Sequence, residues 1–270
     1  MKINHVLGMM RVRNEARWIC DVIRVQLPLV ERIFILDDHS NDGTPDLCSQ
    51  FPEVTLFRST FEGLDETRDR QWLLDQVIQA VPPAQVNRDS PWFVLALDGD
   101  EVLEKSAPNQ IRGVLNEAAI HCLSLRILYC WNDPLKIRMD GVYADFRRPS
   151  LFRLMNPAFR FQKTPFGNGA NVHCPQVPQE YLHHTIRTDI AVLHLGYLEA
   201  EDRIRKYEWY NAIDQCNKGE DGYRHMVIGD LFPANSRFRW GGPLHLADLG
   251  DVAGEPYAWP ENSRFGCVAK

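Results

Sequence analysis

Two acidic clusters in this sequence have the residue types and the spacing to hold a divalent cation. Asp37 and Asp38 directly follow the apolar run IFIL, and Asp98, Asp100 and Glu101 directly follow the apolar run WFVLAL. The single glycine between Asp98 and Asp100 permits a tight turn from which both carboxylates can reach one ion. Hard cations such as Mg²⁺ and Mn²⁺ take oxygen ligands and usually complete their coordination with substrate phosphates. The two clusters therefore predict a site for a metal-bound diphosphate.

The same clusters also have a purely structural interpretation. Asp, Asn, Ser and Gly in the run DDHSNDGT are ordinary turn residues, and carboxylates often cap the helix that follows a strand. Two such clusters after core strands favour the functional interpretation, because crowded carboxylates repel one another unless a cation or a donor-rich ligand neutralises them. The chain has neither GxGxxG after its first strand nor GxxxxGK[ST]. Both absences disfavour a dinucleotide-dependent oxidoreductase and a P-loop ATPase.

The elements that must position these residues alternate along the first half of the chain. Short apolar runs followed by helical patterns are typical of βαβ units that feed a mostly parallel sheet flanked by helices. Ligands of such open sheets bind at the carboxyl ends of the strands, where both acidic clusters lie. The predicted strands cover 6–10, 32–36, 54–57, 92–97, 122–131 and 190–197; the predicted helices follow Asn14, begin at Thr44, span 66–81, open at Ala107 and span 199–216.

Composition and charge narrow the classes of protein further. With 44% hydrophobic and 24% charged residues among 270, the chain has the composition of a globular protein. A net charge of −6 without any basic block argues against nucleic acid as a partner. No apolar run is long enough for a bilayer span or a secretory signal, so we expect no transmembrane segment and a cytoplasmic location. The 7 cysteines include no CxxC pair, which argues against structural zinc and a disulfide framework.

Four segments, in this order, resemble the metal-dependent family 2 type glycosyltransferases with the GT-A fold: RVRNEARWI, IFILDDHSNDGT, FVLALDGDEVL and VLHLGY. The resemblance extends over about the first 215 residues. It implies a Rossmann-like α/β fold with an acceptor-side elaboration. It also implies transfer of a sugar, with inversion, from a UDP-linked donor to a carbohydrate or other small-molecule acceptor, with Mn²⁺ or Mg²⁺ as the cofactor.

The resemblance assigns the nucleoside end of the donor to the loops after the first two strands. The residue that matches Asp38 holds the uracil or the ribose in that family, and the loop with Arg11, Asn14 and Glu15 borders the base. This sequence has His39 where the family usually has glycine, so the turn that follows Asp38 departs from the common pattern.

The diphosphate and the metal are assigned by the same resemblance. Arg70 matches the arginine that contacts the diphosphate, with Arg68 as the alternative. Asp98 and Asp100 match the DXD motif, in which the first residue contacts the nucleotide and the metal and the second binds the metal directly. His194 matches a further metal ligand.

The catalytic base is not assigned by a motif. An inverting transfer needs a carboxylate that takes the proton of the attacking hydroxyl. Asp140 in RMDGVY is our first candidate, and Asp133, Glu101 and Glu180 stay open; a solvent-facing turn is an equal alternative for Asp140.

Aromatic and basic residues are frequent in the second half of the chain and admit two interpretations. They could stack on sugar rings and hold an anionic acceptor, or they could simply pack this half while the arginines stay solvated. The residues concerned are Tyr129, Trp131, Tyr143, Trp209 and Tyr210, with Arg147, Arg148 and Arg153.

We divide the chain into three parts and keep one rival function. Residues 1–131 form the predicted nucleotide-sugar-binding core, 132–228 the acceptor-side half of the same domain, and 229–270 an irregular C-terminal wrap or lid. The rival is a phosphohydrolase of the haloacid dehalogenase type, since LDGDEV also fits a strand followed by DxDxV with Asp98 as the nucleophile. That class opens its domain with this strand, whereas about 90 residues of α/β pattern precede it here.

Overall fold

The computed structural model describes residues 4–81, 91–116, 120–155, 160–162, 174–214 and 221–253. Within these residues the chain builds one ten-stranded sheet flanked by helices. The strands are β1 (His5–Val12), β2 (Arg32–Asp37), β3 (Val54–Arg58), β4 (Trp92–Ala96), β5 (Glu101–Leu103), β6 (Cys122–Trp131), β7 (Asp133–Arg138), β8 (Arg147–Arg153), β9 (Thr185–His194) and β10 (Leu246–Asp248). The helices are α1 (Ile19–Gln26), α2 (Thr44–Cys48), α3 (Glu66–Ala80), α4 (Ala107–Asn116), α5 (Ala200–Ile213) and α6 (Leu249–Ala253), with short 3₁₀ turns at Gly141–Ala144, Gln179–His184 and Arg224–Val227.

The N-terminal half of the sheet is parallel, in the order β3-β2-β1-β4. Successive side chains of a strand point to opposite faces, so each of these strands contributes to two cores. Met10 of β1 packs in the cluster that holds Ile23 of α1, whereas Met9 packs in the cluster that holds Leu74 of α3. Helices on both faces explain why these strands are apolar throughout. The predicted α/β class is confirmed.

The helix predicted after Asn14 begins later than expected. Asn14 adopts a left-handed conformation with φ of 58°, and α1 starts only at Ile19. The loop between them is tied to the segment after β2, because the backbone N–H of Asn14 donates to Ser40 Oγ at 2.8 Å. Asn14 therefore helps to shape this loop, and it does not cap α1.

The second half of the sheet is mainly antiparallel. Strand β8 lies antiparallel between β4 and β6, while β9 pairs in parallel with β6 and antiparallel with β5. The strand predicted at 190–197 is β9, which begins earlier and ends at His194. Strands from both sides of residue 131 share one sheet, and the division at that residue stays a prediction about function.

The C-terminal part contains more regular structure than its composition suggests. Strand β10 pairs antiparallel with β7, and α6 follows it directly. Residues 254–270 of the predicted wrap or lid lie outside the described residues. In the described part of the chain, no helix combines the length and the apolar character that crossing a membrane requires.

Candidate active site

A cleft of about 800 Å³ opens at the carboxyl ends of β1, β4 and β9, with α5 as a further wall. This is the edge at which open α/β sheets bind ligands. The register of β5 on β9 pairs Glu101 with His194 and so brings the DGD turn beside the end of β9. Seven of the nine predicted site residues line the cleft: Arg11, Asn14, Glu15, Arg70, Asp98, Asp100 and His194.

Asp98 is held by three donors. Its Oδ1 accepts from Arg70 Nη2 at 3.1 Å and from Gln176 Nε2 at 2.7 Å, and its Oδ2 accepts from Arg148 Nη1 at 3.0 Å. Burial alone would raise the pKa of Asp98, but the two guanidinium groups outweigh burial and hold that pKa well below its ordinary value. Both carboxylate oxygens are therefore committed to the protein's own cations.

Glu101 lies beneath the cleft rather than in it. Its side chain is fully buried, and Oε2 accepts from the backbone N–H of Asp98 at 3.0 Å and from Arg148 Nη2. Burial raises the pKa of Glu101 to about 7, against the opposing charge of Arg148. Arg148 thus joins two carboxylates of the DGDE run, and Glu101 does not line the cleft.

Asp100 and His194 face each other across a gap at the cleft floor. Asp100 Oδ1 lies 3.8 Å from His194 Nε2, and Asp100 Oδ2 accepts from Lys206 Nζ at 2.6 Å. Burial lowers the pKa of His194 to about 4, so the ring is in the neutral form that binds metals. A Cβ at Gly196 would collide with both Asp100 Oδ2 and Lys206 Nζ, so a larger residue there would displace this pair.

Asp100 and His194 fit a divalent cation. Two adjacent ligands at about 2.0–2.2 Å from an octahedral ion lie about 3 Å apart, so Oδ1 and Nε2, which are 3.8 Å apart, would have to approach each other by about 0.8 Å to share one. Among the described residues, no group of three or more His, Cys, Asp or Glu side chains is arranged to hold an ion. The protein thus offers two ligands and leaves positions for oxygens of a bound ligand, as Mg²⁺ sites commonly do.

The Asp38 side of the site is organised around Arg11. Arg11 donates from Nη2 to Asp38 Oδ2 at 2.5 Å and from Nε to Asp69 Oδ2 at 2.9 Å. Asp38 is only 3% exposed and does not line the cleft, whereas Arg11 does. His39 adopts φ of 59°, a conformation that glycine adopts more readily than other residues.

Glu15 lies against the DGD turn. A Cβ at Gly99 would come within 2.7 Å of Glu15 Cγ, so the missing side chain makes room for this contact. Burial, with the nearby Asp100 carboxylate, raises the pKa of Glu15 well above its ordinary value. Asn14 precedes it and also lines the cleft.

Asp140, the first candidate for the catalytic base, stabilises the fold and does not face the cleft. It is 8% exposed, does not line the cleft, and pairs with Arg138 through two hydrogen bonds of 2.8 Å. The backbone N–H groups of Gly242 and His245 also donate to its carboxylate. These four bonds occupy both oxygens and hold the C-terminal segment, so we do not carry Asp140 forward as the base.

The aromatic residues divide between the two interpretations. Tyr129, Trp209 and Tyr210 line the cleft and are placed to contact a ligand. Trp131 is fully buried between two guanidinium groups, 4.5 Å from Arg138 and 4.2 Å from Arg203, and packs the fold instead.

The cleft residues that were not singled out from the sequence include Lys206, Gln176, Tyr197 and His225. A lysine on a polar helix or a glutamine in a loop has no distinctive spacing. The sequence feature that could have identified Lys206 is its position three residues after Arg203 and four before Tyr210, which puts all three on one helical face.

Comparisons with known proteins give only weak similarity. No protein-family model matches the chain, and no curated protein matches it. Glucosyl-3-phosphoglycerate synthase from Mycobacterium tuberculosis, in complex with Mn²⁺, UDP-glucose and phosphoglyceric acid, has 16% identity and a TM-score of 0.33 over 46% of this chain and 44% of that one. A mycobacterial protein has 14% identity and a TM-score of 0.33 over 48% of this chain and 43% of that one. The chain therefore spans less than half the length of these neighbours, and a likeness at this level carries no argument about activity.

Proposed function

We propose that the protein is a metal-dependent glycosyltransferase of the GT-A, family 2 type. It would transfer a sugar, with inversion, from a UDP-linked donor to a carbohydrate or other small-molecule acceptor. The observation that carries the proposal is the meeting of Asp100 and His194, two fitting metal ligands, at the floor of a cleft beside Arg70 and Arg148. A sugar nucleotide needs a hard cation, fixed positive charge and a cleft at this sheet edge.

The part of the site that we assign to the donor diphosphate has the densest set of fixed charges. Asp100 and His194 would hold Mn²⁺ or Mg²⁺, and such an ion, when bound, neutralises charge on a leaving diphosphate. Asp98 orients the guanidinium groups of Arg70 and Arg148 through the bonds described above. Donors held in place before the substrate arrives stabilise developing charge without reorganisation, which is the larger part of such catalysis.

The nucleoside and the acceptor would occupy opposite ends of the cleft. The β1 loop supplies Arg11 and Asn14 at one end, with Asp38 fixing the orientation of Arg11. Tyr129 and Tyr210 also line the cleft and offer aromatic surface for a sugar ring.

The rival phosphohydrolase is disfavoured by the environment of Asp98. A carboxylate nucleophile needs a free oxygen aimed at the phosphorus, whereas both oxygens of Asp98 accept charge-assisted hydrogen bonds.

A panel of nucleotide sugars tests the proposal. The protein is incubated with each sugar in the presence of Mn²⁺ or EDTA, and release of the nucleoside diphosphate is followed with and without candidate acceptors. We expect release from a UDP-sugar that EDTA prevents. Cleavage of a phosphomonoester without release from any nucleotide sugar would favour the rival function instead.

The Asp100→Asn substitution tests the metal site directly. Loss of the anionic ligand should weaken Mn²⁺-dependent UDP binding by about tenfold or more, measured by calorimetry. Asp248→Asn is the matched control, because Asp248 is exposed and pairs with Lys136 outside the cleft. Equal UDP affinity in the two variants would place the metal elsewhere.

A further inference from the structure

Lys206 makes the shortest charged contact on the cleft floor that involves Asp100. Its Nζ lies 2.6 Å from Asp100 Oδ2, on the carboxylate oxygen opposite the one that faces His194. The side chains of Lys206 and Asp100 are 22% and 6% exposed, so this pair is largely withdrawn from water. The lysine also lies 5.4 Å from the ring centre of Tyr197, which gives its ammonium a second favourable contact.

Lys206 lies on α5, a firmly anchored helix. Arg203, one turn earlier on α5, is fully buried and donates to the carbonyl oxygens of Tyr197 and Leu198 and to both oxygens of Asp230. These bonds fix α5 against the turn that follows β9. The position of Lys206 is therefore set by the fold rather than by a free surface side chain.

Charge balance makes Asp100 dependent on a cation. Asp98 has two guanidinium partners of its own, whereas Lys206 is the one lysine or arginine that forms an ion pair with Asp100 among the described residues. A divalent ion on Asp100 would approach the ammonium closely, and like charges repel strongly where water is scarce. Binding of a divalent ion to Asp100 would therefore weaken the ion pair between Asp100 and Lys206.

We propose that Lys206 is a tethered cation that neutralises Asp100 in the ligand-free protein, gives way when a divalent ion binds, and then turns to the donor diphosphate. This inference rests on the proposed function, since it needs the metal at Asp100 and His194. It makes metal and nucleotide binding interdependent: Lys206 opposes the metal alone, and a diphosphate that accepts the displaced ammonium removes that opposition.

Titration with Mn²⁺ in the absence of nucleotide tests the competition. Lys206→Met should bind Mn²⁺ about tenfold more tightly than the wild type, because the competing charge is gone. UDP should tighten Mn²⁺ binding in the wild type more than in this variant. Lys136→Met is the matched control, since it removes an equal charge from an exposed pair outside the cleft and should leave Mn²⁺ affinity unchanged.

Amine labelling of the wild-type protein tests the movement without any substitution. Acetylation of Lys206, measured by peptide mass spectrometry, should rise severalfold when Mn²⁺ is added and fall again when UDP is added with it. This readout stays informative if Lys206→Met fails to fold.

The outcomes separate this inference from the proposed function. Equal Mn²⁺ affinity in the wild type and Lys206→Met, or labelling that Mn²⁺ does not change, would overturn the inference and leave the metal site standing. Absence of Mn²⁺ binding in every variant, with or without UDP, would overturn the metal-dependent function and the inference together.

Discussion

Arg148 shows how one side chain can organise a site. Its guanidinium group contacts Asp98 and the buried Glu101 at the same time, so it supports the DGDE turn from below. From the sequence it was one of three arginines that could hold an anionic acceptor, and its partners in the structure are instead carboxylates of the protein. The sequence identified Arg148 as a candidate binding residue, but its role depends on the carboxylates that it contacts in the structure.

Replacement of Arg148 should therefore destabilise the protein. Arg148→Met leaves Glu101 buried without its cation, and such a change typically costs about 3–5 kcal/mol in the free energy of unfolding; partial exposure of Arg148 puts our expectation at about 2–3 kcal/mol. Urea unfolding measures the loss. Arg187→Met, an exposed arginine that pairs with Asp145, is the control and should change stability by less than about 1 kcal/mol. Recovery of part of the loss by adding Glu101→Gln would support this explanation, and no recovery would contradict it.

Helix α5 is the element whose importance the sequence conveyed least. It was predicted as a polar, aromatic-bearing helix over 199–216, and it spans Ala200–Ile213. Its face with Arg203, Lys206 and Tyr210 is polar because it meets the cleft and a buried ion pair rather than an apolar core. Amphipathic patterns identify helices that pack on apolar surfaces, so a helix with a functional polar interface gives no such signal.

Two arginines on this helix allow a matched test of its anchor. Arg203→Met removes a buried partner of Asp230 and should lower the free energy of unfolding by about 3 kcal/mol, measured in urea. Arg205→Met removes an exposed arginine that pairs with Asp202 and should cost less than about 1 kcal/mol. Similar costs for both would mean that the Arg203 pair does not anchor α5.

At the scale of the whole molecule, the C-terminal segment is bound to the sheet through polar contacts. His225 lies at its centre: its carbonyl oxygen accepts from Arg138 Nη1 at 2.6 Å, and its Nδ1 lies 2.7 Å from the hydroxyl of Tyr143. With Asp140 and Asp230 as further contacts, the segment 221–253 is tied to the sheet and to α5, and its residues Tyr223, His225 and Met226 line the cleft.

This attachment should weaken at acidic pH. Burial, with the nearby charge of Arg138, lowers the pKa of His225 to about 4, so the folded protein keeps the ring neutral while the unfolded chain takes up a proton near pH 6.5. The stabilising effect is complete above pH 6.5 and is lost as the pH falls toward 4, with a loss on the order of 1–2 kcal/mol by pH 5.

Melting temperatures of His225→Gln at pH 7.5 and pH 5 measure this effect. The variant should lose less stability than the wild type between the two pH values, because glutamine carries no titrating proton. His183→Gln, at an exposed histidine, should retain the wild-type pH dependence. The prediction is wrong if His225→Gln and the wild type lose stability equally.

Local pattern by itself determined the α/β class, most strands of the first half and the position of the acidic turns after β2 and β4. These features depend on periodicity and turn chemistry, which neighbouring residues encode. Only the tertiary structure decided which charged groups meet. The insertion of β8 between β4 and β6 sets Arg148 beside Asp98, and the docking of α5 sets Lys206 beside Asp100, whereas Asp140 is drawn to Arg138 and away from the cleft. The first two pairings join residues distant in the chain, and all three depend on burial and packing that no local spacing records.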